Sequence, residues 1–151
     1  MAVLPGHEMG TADATMPDTL GREGKRNAVV MHLGGNDLTC QGSKDLLGAM
    51  AAGLMAVALL VRPAEVIWSE IIGRARWRGA QENGAVEQSR TILNISMSKL
   101  CRANSWGFVR HGVINLRTPG YCVVEGVHLS GVGIDMFLLN IVGELERLRF
   151  S

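Results

Sequence analysis

Ala28-Val29-Val30-Met31-His32-Leu33-Gly34-Gly35-Asn36-Asp37 is the stretch that decides the fold. Its first six residues carry no carboxylate, lysine or arginine and show no alternation, a pattern suited to a strand covered on both faces. The paired glycines end it. A strand of that kind needs helices on both sides of its sheet, and the chain supplies them. Ser43 or Lys44 opens a helix that runs to Val61, and Pro63 stops it. Val66-Ile67-Trp68-Ser69-Glu70-Ile71-Ile72 reads as a second strand. A long amphipathic helix follows from about Gln81 to Ala103, with Val86, Ile92, Ile95 and Leu100 on or near one stripe. Gly107-Phe108-Val109-Arg110-His111 reads as a third strand, and a loop passes through Pro119 and Gly120. A final helix begins near Ser130, keeps Leu138, Val142, Leu145 and Leu148 on one face, and holds Arg147 and Arg149 at its negative end. Strand and helix alternate three times, the pattern of right-handed βαβ units on a parallel sheet. The fold class is α/β.

Around this frame, composition sets limits. The chain has 151 residues, 47% hydrophobic and 19% charged, which suits one folded domain with a core of its own. Residues 1–27, rich in Gly, Pro, Thr, Asp and Glu without a period, read as an irregular arm, and 28–150 as the domain. Glycine is abundant, 19 residues, but has no three-residue period. Net charge is +1 and aromatics are 5%, so neither a broad nucleic-acid surface nor an anionic membrane is an expected partner. Positive charge gathers in the middle, with Arg74, Arg76 and Arg78 around Trp77; this is a solvated loop or a phosphate-contacting patch. Cys40, Cys101 and Cys122 are widely spaced with no CxxC, which reads as buried reduced thiols. The start of the chain lacks the apolar core of a signal peptide, and a cytoplasmic location is expected. Leu46–Val61 is an uncharged run of sixteen residues, short of the ~20 that span a bilayer, and is expected to be a helix buried on most sides.

Chemistry in an open parallel sheet gathers at the carboxyl ends of the strands. Gly34-Gly35-Asn36-Asp37 follows the first strand there. Glycines admit a ligand to the backbone, and an Asn amide can donate to a developing oxyanion, although the same residues also make ordinary turns. Further on, Glu125-Gly126-Val127-His128 places a carboxylate three residues before a histidine, across a glycine. Such a carboxylate can turn back onto the imidazole, fix its tautomer and leave the second nitrogen as a base. His32, inside the apolar strand, reads as a hydrogen-bonded core histidine. His7 and His111 have no metal-ligand partners at helical or CxxC spacing. No phosphate-binding glycine loop is present.

Taken together and in this order, the two blocks resemble the SGNH (GDSL-like) hydrolase superfamily, in which a G-x-N-D block and a later D-G-x-H block with a downstream glycine recur. Gly133 stands in that downstream place. Trp68-Ser69-Glu70-Ile71-Ile72, Trp77-Arg78-Gly79-Ala80 and Gly126-Val127-His128-Leu129-Ser130 look closer still to the SGNH-type esterase domains encoded by vertebrate retroelements. The resemblance covers roughly residues 27–148. It implies a three-layer, flavodoxin-like parallel sheet, here lacking its amino-terminal strands. It also implies ester hydrolysis through a serine acyl-enzyme, with no metal and no organic cofactor. Gly34 and Asn36 would be oxyanion-hole donors, His128 the general base, and Glu125 the acid that orients it, in the place of the family's aspartate.

The family's nucleophile is a serine in a G-D-S block after its first strand, and no serine precedes Ser43 here. The nucleophile is therefore unassigned; Thr11 and Thr15 are hydroxyls with no recognisable strand before them, and Thr15 and Ser130 would be the first to test. The expected protein is a catalytically impaired esterase domain with a small ester as substrate. The rival is a non-catalytic retroelement remnant that self-associates or contacts RNA weakly through Arg74–Arg78. With the family's strand order, Ala28–Leu33 would be an apolar sheet edge that invites self-association.

Overall fold

The computed structural model describes residues 27–114 and 120–149, together with the backbone of residues 2–5. Four strands pair in parallel in the order β1 (Ala2–Pro5), β2 (Ala28–His32), β3 (Glu65–Ser69) and β4 (Gly107–Val109). Helix α1 (Ser43–Leu60) follows β2, α2 (Asn83–Ala103) follows β3, and α3 (Gly131–Arg149) follows β4. This is the α/β architecture expected from the alternation of strand and helix.

Period-two alternation along each strand divides the core into two layers. Met31, Val66 and Trp68 face α1 and α2, where they pack with Leu46, Met50, Leu54, Leu93, Met97 and Cys101. Ala28, Val30, Ile67 and Val109 face the other way and meet Ile141, Phe137, Leu145 and Leu148 of α3. Gly107 is required where α3 crosses β4. A Cβ there would lie 2.9 Å from Ile67 Cγ1 and 3.2 Å from Glu144 Oε1.

Several expectations are corrected. Ala2–Pro5 is a strand whose Cα partners run from Ala2↔Val29 to Pro5↔His32, so Ala28–His32 lies inside the sheet. The expected apolar edge is thus occupied by the chain itself; residues 6–26 lie outside the described residues. The expected stripes on α2 and α3 are also rotated. Ile92 and Ile95 are about half exposed, and the buried face of α2 is Leu93, Asn94, Met97 and Cys101. On α3, Leu138 and Val142 face outward while Phe137 and Ile141 take the sheet. Nor is α1 buried on most sides: Leu46, Met50 and Leu54 form its one inner stripe, and Leu59 and Leu60 are exposed. Cys40 is exposed rather than buried.

By length and composition α1 could cross a membrane, with 17% of its window buried. It connects β2 to β3, however, and these strands pair directly from Ala28↔Glu65 to Met31↔Trp68. A bilayer crossing by α1 would put the two strands on opposite sides of a membrane, which that ladder forbids.

Candidate active site

Because all four strands are parallel, the segments that follow them open at one end of the sheet. The first follows β2. Gly34 has φ +95°, and a Cβ there would lie 3.0 Å from Met50 Sδ and 3.2 Å from Ile71 Cδ1, so both dihedral and space call for glycine. Asp37 N–H donates to the Gly34 carbonyl at 3.2 Å, which closes the turn and brings Asn36 to the surface. The Asn36 carboxamide is oriented by Arg74, whose Nη2 donates to Oδ1 at 3.0 Å. A guanidinium has no acceptor, so the oxygen must be the end that faces it. The Asn36 amino group is then the end presented elsewhere.

The second segment is a small hairpin after β4. Cys122 and Leu129 form an antiparallel bridge, and Gly126 N–H closes a turn onto the Val123 carbonyl at 2.8 Å. Gly126 takes φ +75°. The turn folds Glu125 back so that its Oε1 accepts from His128 Nδ1, although Glu is one methylene longer than Asp. This hydrogen bond is the main reason the Glu125 carboxyl lies below its ordinary range, with His128, Arg78 and Arg76 adding to it electrostatically. With Nδ1–H engaged, Nε2 is the basic nitrogen of His128. Both side chains are solvent-accessible. Ser130 Oγ accepts from Gly133 N–H at 3.1 Å and donates to the Gly120 carbonyl, so it caps α3. Among the described residues, His128 has Glu125 as its hydrogen-bond partner and no hydroxyl lies within bonding distance of it.

What joins the two segments is the connection between β3 and α2, residues 70–82. Arg76 N–H donates to the Gly126 carbonyl at 2.8 Å, and a Cβ on Gly126 would meet Ala75 Cβ at 3.1 Å. Arg74, two residues earlier, holds Asn36 and lies 4.9 Å from the centre of the Trp77 ring. The polar face of α2 fixes this connection. Asn94 accepts from Ile71 N–H and donates to the Ile71 carbonyl, both at 2.9 Å, as a neighbouring strand would. Glu87 Oε1 accepts from the Trp77 indole at 2.7 Å and from Arg74 N–H at 3.2 Å, while its other oxygen holds Arg90. Asn83 Oδ1 accepts from Trp77 N–H at 3.0 Å. Beyond the basic loop or patch expected of Arg74–Arg78, this segment is a strap between the two blocks. A signal was available: Asn83, Glu87, Arg90 and Asn94 recur at spacings of four, three and four, and Met97 and Cys101 continue the same stripe.

A second polar cluster lies on the α3 side of the sheet. Ser69 Oγ is bonded to His111 Nε2 at 2.8 Å and to His32 Nδ1 at 3.1 Å, and Asn140 Nδ2 meets His111 Nδ1 at 3.1 Å. Amide to imidazole to hydroxyl to imidazole is a consistent chain of donors. Phe137 stacks on His111 with ring centres 4.5 Å apart and packs edge-on to His32. Burial, assisted by His32, lowers the His111 pKa to about 4, and burial lowers that of His32 as well. His32 is thus a hydrogen-bonded core histidine, as expected. Ser69 is fully buried, so it is no substitute nucleophile.

The sequence matches no protein-family model and no curated protein. Solved structures do match. A GDSL-like lipase from Bacteroides thetaiotaomicron is similar with TM-score 0.67 and 23% identity, over 80% of this chain and 62% of the lipase chain. The esterase domain of the ORF1 protein of the zebrafish ZfL2-1 retrotransposon is similar with TM-score 0.60 and 22% identity, over 80% of this chain and 73% of that one. The chain thus spans less than two thirds of the lipase. At these identities the similarity is one of fold: the parallel α/β architecture described above is shared with a GDSL-like lipase and with a retrotransposon esterase domain.

Proposed function

We propose that this chain is an SGNH-type ester-hydrolase domain that retains the base and oxyanion parts of the site and is catalytically impaired for want of a placed nucleophile. The observation that carries the reading is the continuous linkage of Asn36, Arg74, the Ala75–Arg76 backbone, Gly126, Glu125 and His128 at one end of a parallel sheet. In such a site His128 Nε2 takes the proton of an attacking hydroxyl and returns it to the leaving alcohol. Glu125 holds the ring and offsets its charge once protonated. The Asn36 amino group and the backbone around Gly34 would donate to the oxyanion of the tetrahedral intermediate.

The sheet supports one place for the missing group. The family's G-D-S block ends the strand that pairs with the one before G-x-N-D, and here that strand is β1. Gly6-His7-Glu8 comes next in the sequence, and counting from the glycine makes Glu8 the position to compare with the family's serine. The test is labelling by a fluorophosphonate together with turnover of a p-nitrophenyl ester. The unmodified chain should show neither above background. Glu8→Ser should gain labelling, and adding His128→Ala should remove it. Strong labelling of the unmodified chain would refute the impairment, and would assign a working hydroxyl if His128→Ala abolished it; a folded Glu8→Ser protein that stays unlabelled would refute the rest of the reading.

A further inference from the structure

Arg74, Arg76 and Arg78 occupy alternate positions of the strap, the first beside Asn36 and the other two beside the Glu125-Gly126 turn. Arg74 is committed to Asn36 and to the Trp77 ring. Arg76 leaves the backbone at the Glu125-Gly126 turn, its Cβ 3.3 Å from where a Cβ on Gly126 would stand. Arg78 Nη2 lies 3.9 Å from Glu125 Oε2, and Arg76 and Arg78 are both exposed. The carboxylates that bond to this stretch are already engaged. Glu87 is occupied by Trp77, Arg90 and the Arg74 backbone, and Glu125 is shared between His128 and the two exposed arginines.

An ordinary solvated basic loop would leave its backbone to water. This one is bonded at Ile71, Arg74, Arg76 and Trp77, so the two exposed guanidiniums project from a fixed base. A guanidinium fork matches the paired oxygens of a carboxylate or phosphate, and pre-positioning reduces the ordering that binding requires. We propose that the ester taken at this site carries a compact anionic group, a phosphate or a carboxylate, which Arg76 and Arg78 read while Arg74 holds Asn36. The proposal rests on the ester-hydrolase reading for the identity of the ligand, but its binding test does not depend on turnover.

The test is a nuclear magnetic resonance titration of the full chain at low salt with phenyl phosphate, benzoate and the neutral ester phenyl acetate. Either anion should give saturable shifts at the Arg76 and Arg78 side chains and at the His128 ring, and phenyl acetate should bind more weakly. A preference for phenyl phosphate assigns a phosphate, and a preference for benzoate a carboxylate. The double variant Arg76→Gln/Arg78→Gln should weaken anion binding about tenfold. Arg102→Gln, in the last turn of α2, should leave it unchanged. No saturable binding, or equal affinity in the double variant, overturns the proposal. So does a single-stranded RNA oligomer whose affinity through these arginines rises steadily with its length, since the patch would then track a strand. Anion binding with no labelling of Glu8→Ser would refute the esterase reading and leave an anion site; labelling without anion binding would do the reverse.

Discussion

Acidification should destabilise this fold through His111, and the size of the effect follows from its surroundings. The ring is 2% exposed, stacked on Phe137, bonded through Nε2 to Ser69 and through Nδ1 to Asn140. Its backbone N–H donates to Glu70 Oε1 at 2.6 Å, and His32 faces it across Ser69. The imidazole is kept neutral, with a pKa lowered by burial to about 4 from the ordinary 6.5. The unfolded chain takes up a proton as pH falls through 6.5, while the folded chain takes it up only near 4. Stability from this group is therefore whole above about pH 7, falls as pH drops through 6.5, and levels off below 4. The depression of about 2.5 units corresponds to roughly 3 kcal/mol in full, of which about 2 kcal/mol is lost between pH 7 and pH 5. His32, lowered in the same direction, adds to the loss.

Urea unfolding followed by tryptophan fluorescence is the assay, since Trp68 and Trp77 are both buried. Wild type should lose stability steeply from pH 7 to pH 5, and His111→Gln should flatten that slope even if it lowers the value at pH 7. The His111 ring resonance of the wild type should stay in its neutral form until pH approaches 4. A flat stability profile, or a His111 ring that titrates near 6.5, would refute the assignment of a neutral buried network.

Three further outcomes test the frame that holds the site. Gly107→Ala should cost about 1–3 kcal/mol by urea unfolding, because its methyl group meets Ile67 and Glu144 where α3 rests on β4. Asn94→Leu should cost about 2–3 kcal/mol, since both polar groups of Ile71 lose their partner inside the protein; hydrogen exchange should quicken across residues 71–78 before it does so in β2 or β3. Leu54→Asp should abolish folding as judged by circular dichroism, whereas Leu60→Asp, at 82% exposure, should shift stability by less than about 0.5 kcal/mol.

The strands were legible because their signals are local. An uncharged run ended by Gly34-Gly35, and a second apolar run before Glu70, needed only covering on both faces. Helix faces were not legible from apolar residues alone. Ile92 and Ile95 attract attention on α2, yet the inward side mixes Asn83, Glu87, Arg90 and Asn94, which serve the strap, with the core residues Leu93, Met97 and Cys101. The Ala2–Pro5 strand was hidden for a different reason. Four residues ending in proline carry no period of their own, and the pairing comes from the ladder that β2 offers. The buried histidine row could have been read by parity. His32 shares the face of Ala28 and Val30, Ser69 that of Ile67, and His111 continues the side of Val109.

The same parity separates two histidine environments that composition cannot tell apart. Residues 32, 69 and 111 turn toward α3 and are enclosed by Phe137 and Asn140, where a charged ring would be desolvated with no carboxylate bonded to it. His128 stands on a hairpin at the end of the sheet, bonded to Glu125 and open to solvent. Enclosure suits a structural role, since the row joins β2, β3 and the end of β4 to α3. Exposure beside a carboxylate suits a group that must gain and lose a proton. The strap between them shares in both layers. Its start is fastened by Asn94 inside the core, and its end touches the hairpin through Arg76 and Gly126. Loosening the α2 anchor should therefore disturb Asn36 and the Glu125 turn together, while a change confined to the histidine row should lower stability and leave the Arg74–Asn36 bond in place.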